Sequence, residues 1–390
     1  MATISTVGQS FALDGREACI QAIEQARQKI LHEADHIVLA FIFASREYNL
    51  QSVLSGASAQ LRNTPLFGFS TEGQLTASGQ HLRSVVVALL AGSDISVQAN
   101  WWSDFSHDSR ATTLQMIDHF GLGDVDRDHA ILLISTDGVH GDSETLCKLL
   151  PQANYFTVGC LTGGNDRQKL AYQIGGEEGG EHGLGAVLIQ GNLKAGVGIG
   201  HGWQPLGKYF YITQAEDLWI RKLDGQAASE AYAEIFGQNP REWAFPPLNS
   251  LIRLYPLGLE EEGEVLTVRS PLLVEVDGSF RMNSKVKEGA TAHLLVGSTA
   301  ACLQAVREAS RQALDSLGKA RPILALVFAD IAWRMLFENQ PGSEVAPIRE
   351  IIGANVPISG GYTIGQIVTT PSGTEVLNQH IEIILIGAVD

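Results

Sequence analysis

Apolar residues along this chain alternate between two patterns. One is spaced as on a single face of a helix; the other is the short unbroken run of a strand buried on both sides. Ala18, Ile20, Ala22, Ile23, Ala26, Ile30 and Leu31 predict a helix over residues 14–32, and the run from His36 to Phe43 predicts a strand. A helix over 49–62, a strand over 65–69 and another over 84–91 follow. The order then restarts, with a strand at 95–101, a helix at 109–120, a strand at 130–135, a short helix at 142–150 that Ser143 is placed to cap, and strands at 154–158 and 183–190. A third round comprises strand 290–296, helix 299–317, strand 323–328, helix 343–352, and strands 355–359 and 381–386. Between rounds two and three, strands are expected within 194–213, at 250–255 and at 265–269, with a helix at 225–236 and a hairpin over 273–281 that turns at Asp277-Gly278. That stretch reads as a separate set of elements or as a degenerate fourth round. The expected fold class is α/β, with repeated strand-helix-strand units forming mixed sheets in two domains, 35–236 and 248–386. The segment 237–247, with three prolines, is the expected boundary.

One short motif marks each round. Gly68-Phe-Ser-Thr-Glu-Gly73, Gly159-Cys-Leu-Thr-Gly-Gly164 and Gly360-Gly-Tyr-Thr-Ile-Gly365 all fit G-x-x-T-x-G, each just after an apolar run. Repetition at matching places implies a shared architectural role. A strand running into a glycine-flanked turn is expected to expose backbone N–H groups and a threonine hydroxyl at a strand end, where α/β proteins bind ligands. The bland alternative is that glycine serves the backbone and threonine a local hydrogen bond.

Charge and composition narrow the field. With 43 acidic against 27 basic residues, net charge −16, the chain lacks a nucleic-acid footprint and is ill matched to an anionic membrane. It has neither a run of about 18 apolar residues nor a leader-like start, so a cytoplasmic location is expected. Four scattered cysteines form no C-x-x-C pair. Nucleophile-elbow, Walker, dinucleotide and H-E-x-x-H motifs are all absent. Asp137-Gly-Val-His140 follows a buried strand, so Asp137 and His140 are candidates for chemistry, alone or with Cys160 as a thiol nucleophile, and equally for turn and cap roles. His140, His201 and His380 are candidate metal or haem ligands, and Arg269 could hold a carboxylate.

In order, these motifs resemble those of FIST-domain sensory proteins. The amino-terminal part of the resemblance is carried by Gly68–Gly73, Asp137-Gly138, Val158-Gly-Cys160 with Gly163-Gly164, His201-Gly-Trp-Gln-Pro-Leu-Gly207 and Leu223-Asp-Gly225. The carboxy-terminal part is carried by Leu254-Tyr-Pro-Leu-Gly258, Val268-Arg-Ser-Pro271 and Pro357 to Gly365. The resemblance implies a bacterial cytoplasmic signal-transduction sensor, not an enzyme. It would act in trans on a partner such as a histidine kinase or a cyclic-di-GMP enzyme, with a homodimer as a further expectation. Stand-alone members of the NosP type bind haem and sense nitric oxide; other members are associated with amino acids or similar metabolites. A Cys/His-dependent hydrolase is the third reading. The expected ligand pocket gathers Ser70, Thr71, Glu72, Asp137, Cys160, Thr162, Arg269 and Tyr362. The chain departs from the family pattern at His140 and His380, and in Asp330-Ile-Ala-Trp-Arg334.

Overall fold

The computed structural model describes residues 3–30, 36–123, 129–151, 155–163, 171–260 and 266–389. Predicted positions 31, 32, 154, 164 and 265 lie outside these residues. The fold is α/β with mixed sheets, as the repeating pattern predicts, and the three rounds are three copies of one unit. Each begins with a lead strand and a helix: Ile4–Ser10 then Gly15–Arg27, Ile95–Trp102 then Ser109–Phe120, and Leu193–Gly200 then, after an insertion, Thr299–Leu317. The first buried strand follows (Ile37–Ser45, Ala130–Asp137, Arg321–Asp330), then one or two further helices. A second strand runs parallel to the first (Leu66–Thr71, Phe156–Thr162, Ile358–Thr363). The closing strand (Val85–Ala91, Leu184–Gly191, Ile381–Ala388) lies antiparallel between the lead strand and the first buried strand.

Between its second and closing strands each unit extends a hairpin, and the hairpin joins another unit's sheet. Gln74–Thr76 pairs with Ile358–Thr363 of the third unit. Tyr172–Gly176 pairs with Leu66–Thr71 of the first. Gly365–Thr370 pairs with Phe156–Thr162 of the second. The exchange is cyclic, so each six-stranded sheet is completed by a neighbour. The inner faces of the three sheets share one core, in which Phe43, Phe69 and Phe328 meet edge to face at 5.0–5.9 Å. The outer faces are covered by each unit's own helices. Asn49 and Asp108 cap two of these helices; the short helix Ser143–Leu149 is capped by Asp142 rather than by Ser143.

The lead strand of the third unit differs from expectation. It is Leu193–Gly200, whereas Thr291–Gly297 belongs to a fourth sheet, where it pairs with Trp203–Glu216 and Leu257–Glu260. The glycine run 196-198-200 explains the choice. Helix Thr299–Leu317 lies so close on this strand that a Cβ at Gly198 would overlap the Ala309 carbonyl, and one at Gly196 the Ala313 carbonyl. Every strand pair of the fourth sheet is antiparallel, so it is an inserted sheet and not a fourth unit. Its hairpin does turn at Asp277-Gly278. Trp243 packs on Tyr232 and Phe236, so the proline-rich segment is a packed part of this sheet's body.

Candidate functional site

The G-x-x-T-x-G motif is the point where the chain crosses from one sheet to the next. Its threonines do not project from open turns. Thr71, Thr162 and Thr363 end the second strands, fully buried, and each accepts a hydrogen bond from a buried glutamine in the hairpin that follows. Gln74 Nε2 lies 2.8 Å from Thr71 Oγ1, Gln173 Nε2 2.5 Å from Thr162 Oγ1, and Gln366 Nε2 3.2 Å from Thr363 Oγ1. The carbonyl end of Gln74 accepts from Ser84 N–H and hydroxyl, and that of Gln173 from Gly183 N–H. The threonine and glutamine thus satisfy polar groups that the crossing would otherwise bury unpaired. The first glycine of each motif has a steric role, since a Cβ on Gly68, Gly159 or Gly360 would overlap the carbonyl oxygen of Ile42, Ile134 or Val327. The three glutamines were missed in the sequence, although copies one and three spell the longer motif G-x-x-T-x-G-Q.

Beside each crossing lies a triplet of equivalent positions. The first buried strand ends at Ser45, Asp137 or Asp330, opposite the motif threonine. Each side chain accepts from the N–H two residues on: Glu47 at 3.3 Å, Val139 at 2.8 Å and Ala332 at 2.9 Å. The second position, just before the closing strand, is a left-handed residue in all three units: Arg83, His182 and Gln379, with φ of 48, 61 and 66°. The third is Tyr48, His140 or Trp333. Trp333 donates to the Gln379 carbonyl at 2.9 Å, and the Tyr48 hydroxyl lies 2.7 Å from the Ala12 carbonyl and 3.2 Å from that of Arg83. His140 instead turns its Nδ1 to Asp137 Oδ2 at 3.0 Å, and His182 Nδ1 approaches the same oxygen at 3.0 Å.

The expected pocket residues divide among separate places. Ser70 is buried and accepts from Tyr172 N–H at 2.9 Å, and Thr162 also donates to the Thr136 carbonyl at 2.9 Å. Tyr362 lies in the outer layer under the helices of the third unit, its hydroxyl bonded to Glu344. Arg269 lies beside the carbonyls of Val268 and Val376. Cys160 is not in a turn; strand alternation puts it with Val158 in the shared core, where burial raises its thiol well above the ordinary range. A neutral, enclosed thiol is no nucleophile, which removes the basis of the Cys160/His140 hydrolase reading.

Charged groups collect at two strand ends. Glu72 forms an ion pair with the buried Arg46. Arg253, from the fourth sheet's body, is buried close enough to Asp330, Glu72 and Arg46 for their charges to act on it. Burial pushes the Asp330 carboxyl up, although Ala332 and Gln379 N–H groups and Arg253 pull the other way. At the second unit, burial would raise Asp137, but the Val139 N–H, the Ser106 hydroxyl and His140 outweigh it and hold the carboxyl below its ordinary value. Arg46, Arg253 and His182 carry no sequence motif; the fold alone brings them in.

His201 and His380 also meet, with ring centroids 4.7 Å apart, and His380 Nδ1 donates to the Asn378 carbonyl at 2.6 Å. This edge contact leaves no slot for a macrocycle between the two rings, and the His140–His182 contact at 5.1 Å leaves none either. A cavity of about 590 Å³ opens at the other end of the parallel strands, beside Arg27, Val38, Leu61 and Pro65, and none of His140, His201 and His380 lines it. Haem does not fit these three histidines as they are packed. The burial that closes their surroundings has a measurable consequence. Burial first, then the neighbouring His201, lowers His380 to about 3, and burial lowers His201 too. Below about pH 6.5 the unfolded chain takes up protons that the folded chain refuses, so stability is complete above that pH and falls as pH drops toward 3. The limit is about 1.4 kcal/mol per pH unit per histidine, less for half-buried rings. Urea midpoints between pH 7 and 4.5 are expected to fall less steeply in His380→Ser, which takes the first unit's residue at this position; an unchanged slope would contradict this.

A three-unit α/β body with cyclically exchanged hairpins and one grafted antiparallel sheet defines the structural class. The chain belongs to the FIST family: the family model of the FIST N domain matches residues 38–226 and that of the FIST C domain residues 228–369. No curated protein matches the chain. FIST domains are associated with signal-transduction sensors that bind small ligands. The border between the two matches falls inside the fourth sheet's body, at strand Gln226–Ala227 just before helix Ala228–Phe236. Among the described residues, no helix is long and apolar enough to cross a membrane.

Proposed function

We propose that this protein is a cytoplasmic sensor of a small metabolite bearing a carboxylate and an ammonium group, an amino acid or a close relative, and that it regulates a signalling partner such as a histidine kinase or cyclic-di-GMP enzyme. One observation carries the reading: two guanidiniums and two carboxylates, Arg46, Arg253, Glu72 and Asp330, gathered where the first unit, the third unit and the fourth sheet adjoin. Guanidiniums match a carboxylate geometrically, and charge-assisted bonds are strong where water is excluded. Burial raises the Asp330 carboxyl and so weakens its hold on the guanidiniums, which leaves Arg46 and Arg253 as the groups for the ligand's carboxylate. Glu72 is the counterpart for the ammonium group. Binding would exchange part of the Arg46–Glu72 pair for ligand contacts, and so would couple occupancy to the junction of three structural parts.

A thermal-shift screen of amino acids and simple carboxylates tests this. At least one amino acid is expected to raise Tm, and the double variant Arg46→Gln, Glu72→Gln to weaken its binding about 10–100-fold. Failure of every amino acid in the screen would overturn the reading. Haem and nitric-oxide sensing is the competing reading. It is favoured by one feature, the His380 Nδ1–Asn378 bond, which leaves Nε2 as the ligating nitrogen. It requires the His201 ring to move aside. A saturable Soret band that disappears in His380→Ser would establish it.

A further inference from the structure

We propose that Asp137, His140 and His182 form a binding site for one divalent transition cation of the zinc class, separate from the Arg46–Glu72 cluster. The three ligating atoms, Asp137 Oδ2 and the two imidazole Nδ1 atoms, lie within 4.8 Å of one another, each nitrogen 3.0 Å from the oxygen. An ion about 2.1 Å from each donor needs them about 3.4 Å apart; each nitrogen stands a few tenths of an ångström from that distance to the carboxylate oxygen, and the two imidazoles adjust to each other within the 4.8 Å that bounds the group. The carboxylate is already oriented: Oδ1 accepts from the N–H groups of Val139 and His140, and Oδ2 accepts from the Ser106 hydroxyl at 2.8 Å. The Asp137 side chain is 8% exposed, while those of His140 and His182 are 39 and 43% exposed, so the carboxylate is enclosed and the imidazoles border solvent. An ion can enter from that side and keep water in a fourth position. The imidazoles need only carry their protons on Nε2, which frees both Nδ1 lone pairs.

The internal repeat supplies an independent argument that these histidines are not there for the fold. At the same two positions the first unit uses Tyr48 and Arg83 and the third Trp333 and Gln379; the Trp333 indole ties down the Gln379 carbonyl, and the Tyr48 hydroxyl bridges the Arg83 and Ala12 carbonyls. In the second unit the Ser106 N–H does that work, donating to the His182 carbonyl at 3.1 Å, while its single hydroxyl proton goes to Asp137 Oδ2. His140 is thereby released from the structural task, and both rings converge on Asp137. Imidazole pairs with one carboxylate suit Zn²⁺, Co²⁺ and their neighbours and not Mg²⁺ or Ca²⁺, which prefer oxygen.

Cobalt is the probe. Protein stripped with a chelator and dialysed against Co²⁺ is expected to retain one equivalent, show visible d–d absorption, and lose it on addition of Zn²⁺. His140→Tyr installs the first unit's residue, and His182→Asn a residue tolerant of the left-handed backbone, so both variants are expected to keep the wild-type Tm without metal. Each is expected to bind cobalt at least about tenfold more weakly. The proposal is overturned if the wild-type chain retains no cobalt, or if both variants bind it as tightly as wild type, which would place the ion elsewhere.

Discussion

Gly198→Ala is expected to destabilise the native fold by more than about 4 kcal/mol. A Cβ there would overlap the Ala309 carbonyl oxygen and stand 2.8 Å from the Ala313 amide nitrogen. Both are backbone atoms of helix Thr299–Leu317, so no side chain can rotate away. The strand cannot retreat either, because all eight of its residues, Leu193 to Gly200, are in register with Ile381–Ala388. Overpacking a core usually costs about 1–3 kcal/mol because side chains yield. Here helix and sheet must separate along their length, and a cost above about 4 kcal/mol removes much of a typical total of about 5–15 kcal/mol. Gly123→Ala, where a Cβ would meet nothing within 4 Å, is the control. Chemical denaturation of both variants decides the matter; a Gly198→Ala midpoint close to wild type would show that the helix can shift.

Residues 1–227, the FIST N half, are not expected to fold alone. Without the rest of the chain the second sheet loses its hairpin Gly365–Leu377, and strand Phe156–Thr162 becomes an open edge. Strand Leu193–Gly200 loses Ile381–Ala388. The shared core loses Leu326, Phe328, Ile384 and Ile386, leaving Phe43 and Phe69 against water. Exposed edges and aromatic surface lead to aggregation. Co-expression with residues 228–390 is expected to restore a soluble complex with one cooperative transition. A cooperative unfolding transition in the isolated half would contradict the shared core.

The repeating unit was legible in the sequence because buried strands and capped helices carry strong local patterns, and because Gly68, Gly159 and Gly360 each face a carbonyl that tolerates no side chain. The sheet partners were not legible. Alternation tells which residues share a face, but not that Gln74–Thr76 leaves its own unit for the third. The same limit misplaced the third lead strand, since the glycines of 196–200 mask a strand that Thr291–Gly297 displays openly. The pocket expected around the motif rested on reading a buried crossing as an open turn. Glu72 and Asp137 do lie in charged clusters, but the residues completing those clusters are distant in sequence. His182 follows His140 by more than forty positions, and the pairing of strand Ala130–Asp137 with Leu184–Gly191, continued by the Asp137 N–H to Gly183 carbonyl bond, closes that gap. Arg253 arrives from the inserted sheet, which no spacing announces.

The insertion has a mechanical corollary. The chain enters the fourth sheet at Trp203 and leaves it at Gly297, and these two residues are paired neighbours. The insertion is braced beyond these crossings, since Arg281 donates to the Val139 carbonyl and Asn283 to the Ile364 carbonyl. The Trp203 indole donates to the Gln379 carbonyl at 2.9 Å, the same oxygen that Trp333 engages. One indole from the inserted sheet and one from the third unit thus share a single acceptor at the strand end next to Asp330, so a displacement of either side loads the same carbonyl.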